Sequence, residues 1–131
     1  MSADLKFLVW SAVWCVLLFL PYVLARIQVW GIVDTVGYPE NPPPLPAWAQ
    51  RAQRAHLNMV ENLTVFAVLV LVAHVSGAAN ATTALGATIF FWARIAQGLV
   101  HIAGLPWLRT AAFGVSLVGE AMILFQIIAK F

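Results

Sequence analysis

The chain has 131 residues, of which 63% are hydrophobic and only 9% charged, and its formal net charge is +2. A water-soluble domain carries about 25% charged residues, and so short a chain cannot enclose this much apolar side chain in one aqueous core. The composition therefore demands lipid as the solvent, and the small, dispersed positive charge gives no reason to expect a nucleic-acid partner.

The first apolar segment runs from about Leu5 to Val33, with Pro21 inside it and Arg26 near its end. Its charge-free part, Phe7 to Ala25, is long enough to cross a hydrocarbon core of about 30 Å and longer than the apolar run of a secretory leader. Lys6 alone makes a weak basic leader region and no convincing small-residue cleavage site follows, so it reads as a retained span. Cys15 is the only cysteine and lies inside this run. No intrachain disulfide can form, and a buried, inert thiol is expected. Residues Asp34 to Pro46 follow, with Pro39, Pro42, Pro43, Pro44 and Pro46. That proline density forbids a helix and predicts a stiff, extended connection.

The second segment spans about Ala47 to Val75, and the stretch from Asn62 to Ala79 holds no Asp, Glu, Lys or Arg. Its Val-rich part could be a strand in isolation. Lipid, however, admits only helices or closed barrels, and barrel strands alternate polar with apolar residues, which this segment does not. Ser76 to Thr83 is a short run of small and polar residues, predicted as a loop. The third segment covers about Ala84 to Gly104. Leu105-Pro106 makes a tight connection, Pro106 being suited to the first turn of a helix, and the fourth covers about Trp107 to Ala129.

The predicted architecture is all-α: one integral membrane domain over residues 1–131, folded as an antiparallel bundle of four transmembrane helices with spans 5–33, 47–75, 84–104 and 107–129 and a Pro-rich loop 34–46. Gly86, Gly98, Gly104, Gly114 and Gly119 allow close helix approach. Arg26, Arg51, Arg54 and Arg109 fall on the side of the 1–2 and 3–4 connections, against Lys6 and Lys130 on the other. The basic side is expected to be cytoplasmic, with both termini outside. Trp30, Trp48 and Trp107 lie near helix ends, as in an aromatic belt. Two glycosylation sequons occur. Asn62-Leu-Thr64 lies within a span, beyond the reach of a transferase, and Asn80-Ala-Thr82 is usable only in a eukaryotic host.

The polar residues inside the spans are few and patterned. Arg51, Arg54, Asn58 and Glu61 share one face of the second helix. Arg94, Gln97 and His101 share one face of the third. Arg109 and Thr110 open the fourth, and Glu120 lies deep inside it, with Ser116 one turn before. Polar groups in a bilayer are costly and usually functional. At about 1.5 Å per residue, Arg94 and Glu120 lie roughly 15 and 20 Å in from the 3–4 connection, so Arg94 can meet Glu61 or Glu120. Two arrangements are open. One is a structural ion-pair lock of Arg94, Glu61 and Glu120. The other is a polar cavity on the cytoplasmic side lined by Arg51, Arg54, Asn58, Glu61, Arg94, Gln97, His101 and Arg109. Four arginines with one carboxylate suit an anion that also carries an ammonium group, a pattern found in glutathione. His56 and His74 are expected at interfaces. No pair of metal-ligand spacing and no Gly-rich phosphate loop is present, so no metal site is expected.

With Arg54-Ala-His-Leu-Asn58-Met-Val-Glu61 at the start of the second helix, a Pro-rich first loop, four spans and a basic residue opening the fourth, the chain resembles the family of membrane-associated proteins in eicosanoid and glutathione metabolism. The resemblance covers essentially the whole length and is nearest to bacterial-type members, which implies a bacterial inner membrane. It further implies a homotrimer with glutathione bound between neighbouring subunits near the cytoplasmic side. Arg54, Asn58 and Glu61 would contact glutathione, Arg51 would assist, and Arg109 would stabilise the thiolate. A lipophilic electrophile or lipid hydroperoxide would lie in an apolar groove between subunits. Glutathione-using members commonly carry tyrosines along the third helix and after the motif glutamate. Those places hold Gln97, His101 and Asn62 here, which keeps the pocket polar but removes the phenolic hydroxyls. The functions to weigh are a glutathione-dependent transferase or peroxidase, a noncatalytic protein of the same fold that binds a lipid or anionic metabolite or serves as an accessory subunit, and an enzyme using another thiol or none.

Overall fold

The computed structural model describes residues 1–131 and contains helices and no strands. The helices are α1 (Ala3–Leu17), α2 (Phe19–Val36), α3 (Ala47–Val75), α4 (Ala81–Ala103) and α5 (Pro106–Ile128). Four stretches are long and apolar enough to cross a membrane: Ala3–Val36, which comprises α1 and α2, and then α3, α4 and α5.

The first stretch is longer than the expected Leu5–Val33, and it is bent twice. Leu18 separates α1 from α2. Pro21 sits four residues after Leu17, has no N–H for that carbonyl, and crowds it with its ring. The second bend is at Gly31, whose φ of +81° is open to glycine and strained for a side chain. Beyond it the helix resumes, so Asp34, Thr35 and Val36 belong to α2 and not to the loop. Thr35 Oγ1 donates to the Gly31 carbonyl at 2.8 Å. The proline-rich connection therefore starts at Gly37, and Trp30 Nε1 fastens it by donating to the Pro43 carbonyl at 2.7 Å.

The predicted loop Ser76–Thr83 is also shorter, because α4 begins at Ala81 rather than Ala84. Asn80 Oδ1 accepts from Thr82 N at 2.9 Å and Thr83 N at 3.0 Å, while Asn80 N donates to Thr83 Oγ1 at 2.8 Å. This reciprocal cap satisfies backbone donors that a helix start leaves orphaned. The sequon asparagine is thus a helix cap, and its Nδ2 donates to Gln126 Oε1 on α5 at 2.7 Å. The Thr83 hydroxyl also lies 3.3 Å from Oδ2 of Asp4, a carboxylate only 2% exposed, which joins the start of α1 to the start of α4. Pro106 occupies the first turn of α5, which runs to Ile128.

Helices α4 and α5 form the tightest pair. A Cβ on Gly86 would stand 2.6 Å from the Gly119 carbonyl oxygen, and one on Gly119 would stand 2.5 Å from that of Gly86. Only the absence of side chains lets these backbones touch. Trp14 of α1 lies over Gly98 of α4. The core joins Met59, Phe66 and Val70 of α3 to Ala87 and Phe90 of α4, Ile123 and Ile127 of α5 and Cys15 of α1. The rings of Phe66 and Phe90 stack at 3.8 Å. Only 28 of the 131 residues are buried, and large apolar side chains stay exposed on every helix. A protein surrounded by water could not carry that surface, whereas lipid and neighbouring helices cover it without cost.

Candidate functional site

Beside the connection between α4 and α5, the amino-terminal end of α3 lies against the carboxy-terminal end of α4. Helix α4 ends at Gly104 in the left-handed conformation, φ +81°, a common way to close a helix. That turn leaves room for Arg51, whose Cζ lies 3.1 Å from where a Gly104 Cβ would be. Arg51 Nε donates to the Ile102 carbonyl at 2.9 Å. A cation thus caps the negative end of α4, as the helix dipole favours.

Around this junction lies a cavity of about 310 Å³ lined by Arg51, Arg54, His101, Gly104, Leu105, Pro106 and Arg109. A second, of about 220 Å³, is lined by Asn58, Gln97, His101, Arg109, Thr110 and Phe113. They share His101 and Arg109, so they form two lobes of one depression. Gln97 Nε2 and His101 Nδ1 are 3.4 Å apart between the lobes. No carboxylate lines either lobe. Three guanidinium groups from α3 and α5 thus face one space with no internal counter-charge. Like charges gathered in a cleft repel one another and raise the local concentration of anions.

The structure distributes the eight expected residues unevenly. Arg51, Arg54, Asn58, Gln97, His101 and Arg109 line the depression. Arg94 does not; it is 1% exposed and lies behind Asn58. Its Nη2 donates to Asn58 Oδ1 at 2.6 Å and its Nε to Met59 Sδ at 3.4 Å. Its hydrogen-bond partners are therefore the Asn58 amide and the Met59 sulfur, and neither Glu61 nor Glu120 as the ion-pair arrangement requires. Arg94 Nη1 and Glu120 Oε1 are both buried without a partner.

Glu61 also departs from expectation. It is exposed and lines neither lobe. Residues at i, i+4 and i+7 are only roughly aligned at 3.6 residues per turn. Asn58 falls on the α4 side of the stripe, where it is half-buried, and Arg54 and Glu61 fall on the outer side. His56 is half-buried, with Nδ1 2.7 Å from Tyr22 Oη of α2.

The lining also contains Gly104, Leu105, Pro106 and Phe113, which their chemistry did not single out as site residues. They belong to a turn and to the first two turns of α5. Only the tight Leu105-Pro106 connection, which forces α5 to start beside the end of α4, could have pointed to them.

No curated protein and no solved structure matches the chain significantly. Residues 7–129, which include the last three spanning stretches and all but the first four residues of the first, match the family model described as the MAPEG family, and the chain is accordingly an integral, multi-pass membrane protein belonging to that family.

Proposed function

We propose that the chain binds glutathione in the cationic depression and is a membrane-embedded transferase or peroxidase acting on lipophilic electrophiles. The observation that carries this reading is the convergence of Arg51, Arg54 and Arg109, with His101, on one depression that holds no carboxylate. Its larger lobe lies at the small end of the range for small-molecule sites, about 300–1,000 Å³.

The residues present suit the two carboxylates of glutathione. Arg51 and Arg54 offer planar forks for carboxylate oxygens. Asn58, Gln97 and Thr110 offer neutral hydrogen-bonding groups in the smaller lobe. Arg109 stands in the first turn of α5, where its charge and the positive helix end both favour a thiolate. Bound glutathione would supply the sulfur nucleophile, and a nearby cation keeps more of it deprotonated.

The ammonium group has no carboxylate partner within the depression. Glu61 would meet it if a second subunit packs against the outer face of α3, so the reading includes a homotrimer with the site closed at subunit interfaces. The proposed orientation places the depression on the cytoplasmic side of a bacterial inner membrane. Arg26, Arg51, Arg54 and Arg109 near that end support it.

The test is a titration of the detergent-purified protein with glutathione, read by thermal unfolding and by ultraviolet thiolate absorbance. Stabilisation together with a thiolate signal that Arg109→Ala removes is the expected result. No stabilisation at millimolar glutathione would overturn the reading. The absence of any phenolic hydroxyl from the lining favours a second reading, a noncatalytic protein of the same fold that binds a lipid or anionic metabolite. Glutathione binding without a thiolate signal would favour it. Mass measurement in detergent should give three copies of the chain, and a monomer would remove the intersubunit site.

A further inference from the structure

Arg26 lies apart from the cationic depression. Tyr22, Arg26 and Trp30 are spaced i, i+4 and i+8 and so share one face of α2. Arg26 Cζ stands 5.0 Å from the centroid of the Tyr22 ring and 5.5 Å from that of Trp30. Both rings are held in place. Tyr22 Oη lies 2.7 Å from His56 Nδ1 of α3, and Trp30 Nε1 donates to the Pro43 carbonyl at 2.7 Å. The guanidinium is therefore clamped between two fixed aromatic rings, while its own Nε is buried with no hydrogen-bond partner.

The depth of this clamp follows from α3. At about 1.5 Å per residue its 29 residues measure roughly 43 Å, more than a hydrocarbon core of about 30 Å. The excess lies at its polar amino-terminal end, where Gln50, Arg51, Gln53 and Arg54 stand. The bond from Tyr22 to His56 sets α2 beside that end, so Arg26 lies in the headgroup zone. Arg51 and His56 are five residues apart on α3, or roughly 140° around its axis. The clamp is thus on a different side of α3 from the depression. Val29 of α2, about 60° around the helix from Arg26, is exposed.

We infer that Arg26, clamped by Tyr22 and Trp30, is a binding site for the phosphate of a membrane lipid headgroup. A guanidinium matches two phosphate oxygens with a planar pair of donors, and stacking on aromatic faces keeps that fork aimed. Nε is turned inward and buried, and the two terminal nitrogens, which are not buried and make no hydrogen bond within the chain, are the donors left to a ligand. Inorganic phosphate shares this chemistry, but the exposed apolar side chains of α2 favour a ligand that also carries acyl chains.

The test titrates the protein in neutral detergent with short-chain phosphatidylglycerol, and separately with inorganic phosphate and with glutathione, reading thermal unfolding and bound-lipid mass. The expected result is lipid stabilisation that Arg26→Gln weakens about tenfold or more, the cost of losing a charge-assisted pair. Arg26→Lys, which keeps the charge and loses the fork, should fall between, and Arg54→Gln should leave the lipid titration unchanged. Wild-type lipid affinity in Arg26→Gln, or its loss in Arg54→Gln, would overturn the proposal. An equal Arg26-dependent response to inorganic phosphate would support phosphate recognition and overturn the lipid assignment. If Arg26→Gln abolishes the glutathione response and spares the lipid response, Arg26 belongs to the other site and the proposal fails. The lipid arm contains no glutathione, so its outcome is independent of the proposed function. Unliganded melting temperature and oligomer mass check that each variant folds.

Discussion

Arg94 Nη2 donates to Asn58 Oδ1 at 2.6 Å, so a fully buried cation of α4 fixes an amide of α3 that faces the cationic depression. With Oδ1 engaged, the group Asn58 can offer to a ligand is its Nδ2 donor. Asn62 Nδ2 steadies the same residue by donating to the Asn58 carbonyl at 2.8 Å. A residue buried away from the site thereby sets which half of Asn58 a ligand meets.

Arg94→Ala should destabilise the protein by about 1–3 kcal/mol, because it leaves the Asn58 Oδ1 acceptor without its donor and takes away a buried side chain. Arg94→Met, which keeps the volume without the charge, should cost clearly less. The coupling between Arg94→Ala and Asn58→Ala should be about 1–3 kcal/mol in a double-mutant cycle. Unfolding in mixed micelles measures all of these, and additive effects would mean that the bond contributes nothing.

At the contact of α4 with α5, Gly119→Ala should cost about 1–3 kcal/mol, because the new methyl group meets the Gly86 carbonyl and the helices must part. Gly114 is on the same helix with nothing within 4 Å of an added Cβ. Gly114→Ala should therefore be neutral or stabilise by up to about 1 kcal/mol through helix propensity alone. Equal melting temperatures for the two variants would show that the close approach is not needed.

Gly104→Ala tests the turn that shapes the depression. An alanine there must adopt a positive φ and displace the Arg51 guanidinium. A cost of about 1–2 kcal/mol is expected from the backbone alone. Moving Arg51 should also weaken anion binding, seen as a smaller stabilisation by sulfate or glutathione than in the wild type. An unchanged anion response would separate the turn from the site.

Asn80→Ala removes the cap of α4 and the bond to Gln126, and should lower stability by about 1 kcal/mol or somewhat more. Asn80→Asp keeps the cap acceptor and should recover most of that loss, although the bond to Gln126 is gone. Thermal unfolding in detergent measures both, and an Asn80→Asp variant no more stable than Asn80→Ala would contradict this role.

The helices were legible because each leaves a mark that needs no partner to be read. Long apolar runs, the prolines between Pro39 and Pro46 and the Leu105-Pro106 connection act locally, and in lipid the backbone has few alternatives. The errors lay where a local signal is weak. Asn80 and Thr83 read as loop residues until their side chains are seen to bond each other's backbone. The bend at Gly31 depends on one backbone angle, and glycine occurs in helices and loops alike.

The sequence by itself determined that this is an integral membrane protein of four helical spans, and it marked Arg51, Arg54, Asn58, Gln97, His101 and Arg109 as residues on inward-capable faces. Composition and periodicity settle such matters because they sum over many residues. Only the tertiary structure decided the partners. It gave Arg94 to Asn58 rather than to a carboxylate, turned Glu61 outward, and set Arg26 between Tyr22 and Trp30. A helical face spans a wide arc, so residues i, i+4 and i+7 agree in direction only to within tens of degrees. The rotation and tilt of each helix, fixed by contacts such as Gly86 on Gly119 and Arg51 on Ile102, decide which neighbour each side chain meets.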